Sequence, residues 1–286
     1  MSVTWFFVVV LLLVNLVGCH DETETVTEKS LPAGQPLALV EATIADIQAA
    51  ILNGSTTCEQ VVTGYLARID TYDQSLGINA ITVRNSAALA TARATDARLA
   101  AGETLGPLFC APLLVKDNYD THDMVTSGGS IALINNYPPD DAFMVRRLRE
   151  AGAIIIAKTN MAEWAFSPRQ TVSSSFGRTA NVYDPSRVPA GSSGGTASGV
   201  AASFGVAGMG SDTGNSIRGP ASHLALFGIR STIGLTSRDG IIPLAFDRDI
   251  AGPLTRTVED GAKIFNTIAG YDANDPLTVE GMREVD

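Results

Sequence analysis

The sequence predicts an α/β protein: a sandwich of helices around a central sheet. Three observations carry this. Apolar residues make up 45% of the chain against 17% charged, a balance that suits a compact core. Short, wholly apolar runs such as Ala153-Ile154-Ile155-Ile156-Ala157 have the composition of strands buried on both faces. Helical periodicities alternate with those runs, the pattern of helices layered on a sheet.

Organised structure is expected from about Leu37. Leu39, Ile44, Ile47 and Ile51 recur at roughly helical spacing, and Asn53-Gly54 ends that helix. Thr57 with Gln60 forms a capping-box pattern that opens a second helix through Val61, Tyr65, Leu66 and Ile69. An Ala-rich third helix is expected from about Asn85 to Ala101. The run Ala111 to Val115 then predicts a strand that delivers Lys116-Asp117 at its end. A helix over 141–151 and the strand at 153–157 follow. Further helices are expected near 195–204 and 257–269, with short strands near 205–209 and 227–230. No internal repeat or linker interrupts residues 37–286, which are taken as one domain.

The N-terminus has a different character. Residues 1–18 carry no charged side chain, and Trp5 to Val14 is unbroken apolar sequence. That run is shorter than the roughly 20 residues a spanning helix needs, but suits the core of a signal peptide. Leu16-Val17-Gly18-Cys19 resembles a bacterial lipobox, in which cleavage precedes a cysteine that is then lipidated. The expectation is an exported protein, periplasmic or held to the membrane by a lipid on Cys19, with residues 19–36 as a flexible tether. Cys58 and Cys110 would then remain, either as a pair or as two buried thiols. The three His and three Cys are scattered without metal-ligand spacing, so neither a metal nor another cofactor is expected. A net charge of −10 disfavours nucleic acid as a partner.

The chemistry concentrates between Gly191 and Arg218. This stretch opens Gly191-Ser192-Ser193-Gly194-Gly195-Thr196 and closes Gly210-Ser211-Asp212-Thr213-Gly214-Asn215-Ser216-Ile217-Arg218. A flexible linker is disfavoured by the apolar residues within it, and a phosphate loop by the missing Gly-Lys-Ser/Thr. Gly191-Ser192-Ser193-Gly194-Gly195 also fits the G-x-S-x-G nucleophile elbow, which would make Ser193 the nucleophile and His223 its base. Only 30 residues separate those two, little room for the intervening strands of that fold.

The same stretch resembles the amidase signature family, whose hallmark is a Gly-Ser-Ser-Gly-Gly loop, a second serine before Ile-Arg, and a lysine upstream. Here Ser216 follows Ser192 by 24 residues and Lys116 precedes Ser192 by 76. The likeness extends through Lys116-Asp117-Asn118, Lys158-Thr159-Asn160-Met161-Ala162-Glu163-Trp164, Ser237-Arg238-Asp239-Gly240 and Gly252-Pro253-Leu254-Thr255-Arg256. It implies a mixed sheet sandwiched between helices, incomplete at the C-terminus because family members run longer.

The resemblance also implies a reaction: hydrolysis of a carboxylic amide, on a small molecule or a peptide, through a Ser216 acyl-enzyme. Ser192 would relay the proton and Lys116 would accept it, with a cis bond joining Gly191 to Ser192. Lysine serves as a base only when neutral, which requires burial, and Lys116 follows an apolar run. The backbone N–H groups of Thr213, Gly214, Asn215 and Ser216 would form the oxyanion hole, each donor typically worth about 3–4 kcal/mol. Many members carry Gly where Asn215 stands, and Asn tolerates positive φ. Met161, Gly128 and Gly129 are expected near the substrate, while Asp212 and Arg218 are expected to brace the loop. A non-catalytic protein that kept the fold is the competing class.

Overall fold

The computed structural model describes residues 37–281. The expected leader, Cys19 and the tether lie outside these residues. No helix of the described chain is long and apolar enough to cross a membrane.

Three helices come first among the described residues: α1 (Ile44–Leu52), α2 (Cys58–Tyr72) and, after strand β1 (Ile81–Arg84), α3 (Ala88–Ala100). Thr57 and Gln60 make the reciprocal capping box expected of them, and Thr43 with Asp46 makes another at α1. The apolar faces Ile44-Ile47-Ile51 and Val61-Val62-Tyr65-Ile69 turn into the core.

Then come β2 (Pro112–Lys116), α4 (Phe143–Glu150) and β3 (Ile154–Thr159), every residue of both strands buried. A small hairpin of β4 (Val172–Ser173) and β5 (Gly177–Arg178) precedes α5 (Gly194–Ala201) and β6 (Ala207–Asp212). Last are α6 (Arg218–His223), β7 (Phe227–Gly228), β8 (Ile250–Thr255) and α7 (Val258–Ile268).

Six strands form one mixed sheet in the order β1-β3-β2-β6-β8-β7. β2 runs parallel to both β3 and β6, whereas β1, β8 and β7 pair antiparallel. The carboxyl ends of β2 and β6 therefore lie side by side, and Lys116 and Ser211 stand there. Successive strand residues face opposite ways, so Lys116 shares the face of Leu114. Helix α5 covers that face: a Cβ on Gly199 would stand 2.7 Å from Leu114 Cδ1.

Two strands of the six-stranded sheet, β8 and β1, escaped the sequence patterns, as did the short hairpin strands β4 and β5. β8 contains Gly252 and Pro253, which argue against a strand, yet it pairs with β6 along its whole length. Its other edge meets only the two residues of β7, and the Pro253 carbonyl accepts the Ile229 N–H at 3.2 Å. β1 is too short to show a period.

Cys58 and Cys110 form a disulfide that ties the start of α2 to the turn before β2. A crosslink across 52 residues removes loop entropy from the unfolded chain, on the order of 4 kcal/mol in the chain-entropy description. The Cys58→Ala, Cys110→Ala double variant should unfold at clearly lower urea. Equal midpoints would count against the crosslink.

Candidate active site

Lys116 is fully buried. Its Nζ lies 2.8 Å from Ser192 Oγ and 2.8 Å from Ser211 Oγ, with the Ser211 carbonyl at 3.4 Å. All three direct partners are uncharged. Burial lowers the amine from the ordinary 10.5 to about 7, against the pull of the Asp212 and Asp249 carboxylates. An amine so placed is substantially neutral near pH 7 and can take a proton.

Ser192 reaches it from the turn leading into α5, where the Gly191-Ser192 peptide is cis, as the family resemblance implies. The turn is packed tightly. The Gly191 N–H donates to the Pro168 carbonyl at 3.2 Å, and the Ser192 carbonyl accepts the Ala162 N–H at 3.0 Å.

Ser216 is buried in the turn after β6. Among the described residues, the backbone N–H groups of Thr213, Gly214, Asn215 and Ser216 have no protein acceptor. Four successive donors without a protein acceptor thus stand just before and at this serine. The turn is anchored from below. Asp212 Oδ2 accepts the Ile217 N–H at 3.0 Å and the Arg218 N–H at 3.2 Å, and the Arg218 side chain closes a salt bridge at 3.1 Å. Burial pushes the Asp212 carboxyl up, but Arg218 and these N–H groups outweigh it and hold the group below the usual range. Asp212 and Arg218 thus brace the loop.

Asn215, which stands where many family members carry Gly, does not need the positive φ that Asn tolerates; its side chain lies over Gly219, where a Cβ would come within 2.0 Å of Nδ2. The structure brings Lys116 and Ser192 into direct contact, whereas no hydrogen bond joins Ser216 to Ser192 among the described residues. Catalytic contacts in ligand-free sites are often long and tighten when substrate binds.

Met161 is fully buried. Gly128 and Gly129 both take positive φ; a Cβ on Gly129 would stand 3.1 Å from the Met161 carbonyl, and one on Gly128 would stand 3.1 Å from Ile242 Cδ1. Beneath them Lys158 donates to the Tyr119 carbonyl at 2.5 Å and to Thr126 Oγ1 at 2.9 Å, with Asp117 Oδ1 at 3.7 Å.

Comparison with known proteins gives the chain a family. The family described as Amidase matches residues 60–285. The chain belongs to the amidase family. It is 42% identical to a glutamyl-tRNA(Gln) amidotransferase subunit from Acidothermus cellulolyticus, over 85% of this chain and 48% of that protein. The native peptide amidase of Stenotrophomonas maltophilia superimposes with a TM-score of 0.82 at 40% identity, over 87% of this chain and 52% of that one. An amidase family protein from Bacillus anthracis gives 0.80 at 38% identity, over 84% and 49%. The chain spans about half the length of the curated relatives it matches.

In this amidase-family chain the nucleophile-elbow alternative finds no support. Ser193 is fully buried, and its hydroxyl donates to the Ser211 carbonyl at 3.2 Å and accepts the Ser211 N–H at 3.3 Å. The His223 ring is 3.2 Å from the Val188 carbonyl instead. His122, Asp123 and Asp141 converge elsewhere, but Arg149 ion-pairs with both carboxylates, at 2.8 and 3.0 Å.

Three residues of the site escaped the sequence reasoning. Ser211 contacts Lys116 directly; Asn118 Nδ2 donates to Ser211 Oγ at 3.0 Å; Asp249 acts on Lys116 through its charge. Ser211 and Asn118 stand inside recognisable motifs, but nothing in those motifs shows that two strand ends abut. Asp249 carries no local signal.

Ser211 Oγ favours the charged amine by accepting from it. A ¹³Cε titration of Lys116 by NMR should give a midpoint near 7, moving lower in Ser211→Ala. A midpoint near the ordinary ~10.4 would refute the assigned environment.

Proposed function

We propose that this chain is a serine amidase that hydrolyses a carboxylic amide C–N bond, with Ser216 as nucleophile, Ser192 as relay and Lys116 as base. One observation carries the reading: a fully buried lysine amine 2.8 Å from the hydroxyl of Ser192. A serine hydroxyl is a weak nucleophile until a base removes its proton. In the proposed cycle Ser216 Oγ attacks the carbonyl carbon while its proton passes to Ser192 and the Ser192 proton passes to Lys116. Negative charge gathers on the carbonyl oxygen, opposite the free N–H groups of residues 213–216. The C–N bond then breaks, Lys116 returns a proton through Ser192 to the departing amine, and water cleaves the acyl ester by the same route.

The substrate reading, a small-molecule or peptide amide, draws support from likeness to a peptide amidase. Likeness to a component of an amidotransferase favours a second reading, in which ammonia released from an amide passes to a partner protein. The apolar leader and the Cys58–Cys110 disulfide weigh against that cytoplasmic role, because disulfides persist in oxidising compartments. Export, with a lipid on Cys19 as the membrane link, is part of the proposal. Feeding cells an alkyne-tagged fatty acid should label the chain but not Cys19→Ser; equal labelling would remove the anchor.

A fluorophosphonate probe should label Ser216, and Ser216→Ala should stay unlabelled. Labelling should rise with pH through about 7, since the base works only as the neutral amine. Lys116→Ala should slow it ~10²–10⁴-fold, while His223→Ala leaves it unchanged. A dead His223 variant beside an active Lys116 variant would reverse the assignment.

A further inference from the structure

A pocket of about 100 Å³ opens beside the lysine. Ile241, Ile242, Leu244, Phe246 and Ile250 contribute apolar walls, and Asn118, Ser211 and Thr213 also line it. We propose that this pocket binds an uncharged, branched aliphatic group of the amide substrate, because its walls are apolar and both charged side chains lining it are already paired. The inference rests on the amidase reading and narrows it to a substrate class.

The charges decide the class. Asp249 is consumed within the protein: Oδ1 accepts the Thr213 hydroxyl, and Oδ2 accepts the Leu244 and Ala245 N–H groups at 2.7 and 2.9 Å. Arg238 is consumed too. It pairs with Asp275, donates to the Phe246 carbonyl, and lies 4.3 Å above the Phe246 ring. A charged group entering the pocket would lose hydration and find no free counter-charge.

Location sharpens the selection. Ser211 and Asn118 line the pocket, and Ser211 Oγ is 2.8 Å from Lys116 Nζ. A carboxylate lodged there would favour the ammonium form and disable the base. An apolar group would instead expel water and keep the amine neutral. Size narrows the choice further: a ~150 Å³ cavity holds benzene, so about 100 Å³ suits a branched aliphatic end.

The test is calorimetric binding to the full chain carrying Ser216→Ala, which needs no turnover. Three amides differ only in the far group: isovaleramide, succinamate and 4-aminobutanamide. Isovaleramide should bind at least about tenfold more tightly than either charged amide, and Leu244→Trp should erase that preference by filling the pocket. Leu244→Lys should reverse it in favour of succinamate, a gain that misfolding cannot produce. Equal affinities for the three amides, or a ranking unmoved by both Leu244 variants, would overturn the assignment. Probe labelling of Ser216 in the unaltered chain reports the reaction separately. Loss of labelling with the ranking intact removes the chemistry and leaves the pocket standing; labelling with no ranking does the reverse.

Discussion

An amine withdrawn from water is the constraint on which the site depends. Charged ammonium groups are stable in solvent, and a lysine left there is useless as a base at neutral pH. Lys116 gives up that hydration because β2 carries it into a space closed by α5 and the end of β6, and because its direct partners are hydroxyls and a carbonyl. Two carboxylates pull its proton affinity upward without touching it, so the amine settles near neutrality instead of being neutral at every pH. Strand order, the parallel pairing of β2 with β6 and the placement of Ser192 all serve that balance.

A second buried lysine shows what the environment decides. Lys158 sits in β3 opposite Val115 in register, so it faces away from Lys116 across the sheet. Burial lowers it as well, to about 8, but Asp117, Asp120 and Asp123 pull it back. Its amine is tied to Tyr119 and Thr126, and Asp117 in turn accepts the Ser127 N–H at 3.2 Å. One lysine is left beside serine hydroxyls that can move protons; the other locks the turn leading to Gly128 and Gly129.

Several residues of the recognisable motifs brace the framework. Arg256 donates to the Val200 and Ala42 carbonyls at 2.7 and 2.6 Å, joining the body of α5 to the residue before the α1 cap. Asp260 accepts the Ile44 N–H at 3.1 Å and holds α7 to α1. Arg238 and Asp275 fasten the segment beside the pocket. The proposed proton relay needs such a rigid surround, since misplacement by about 1 Å can cost 10²-fold in rate.

Periodicity and capping chemistry determine α1, α2, α4 and α7 from sequence alone, because amphipathic helices carry their signal locally. The apolar runs give β2 and β3 for the same reason, and the resemblance to the amidase signature family marks Lys116, Ser192 and Ser216 as the catalytic candidates. Tertiary structure alone decided the rest. It made β8 a strand despite Pro253, since pairing with β6 outweighs local preference. It joined Cys58 to Cys110, and it laid the Asn215 side chain over Gly219. Above all it set Ser211, Asn118 and Asp249 around one amine, residues up to 133 positions from Lys116 whose meeting no local pattern encodes.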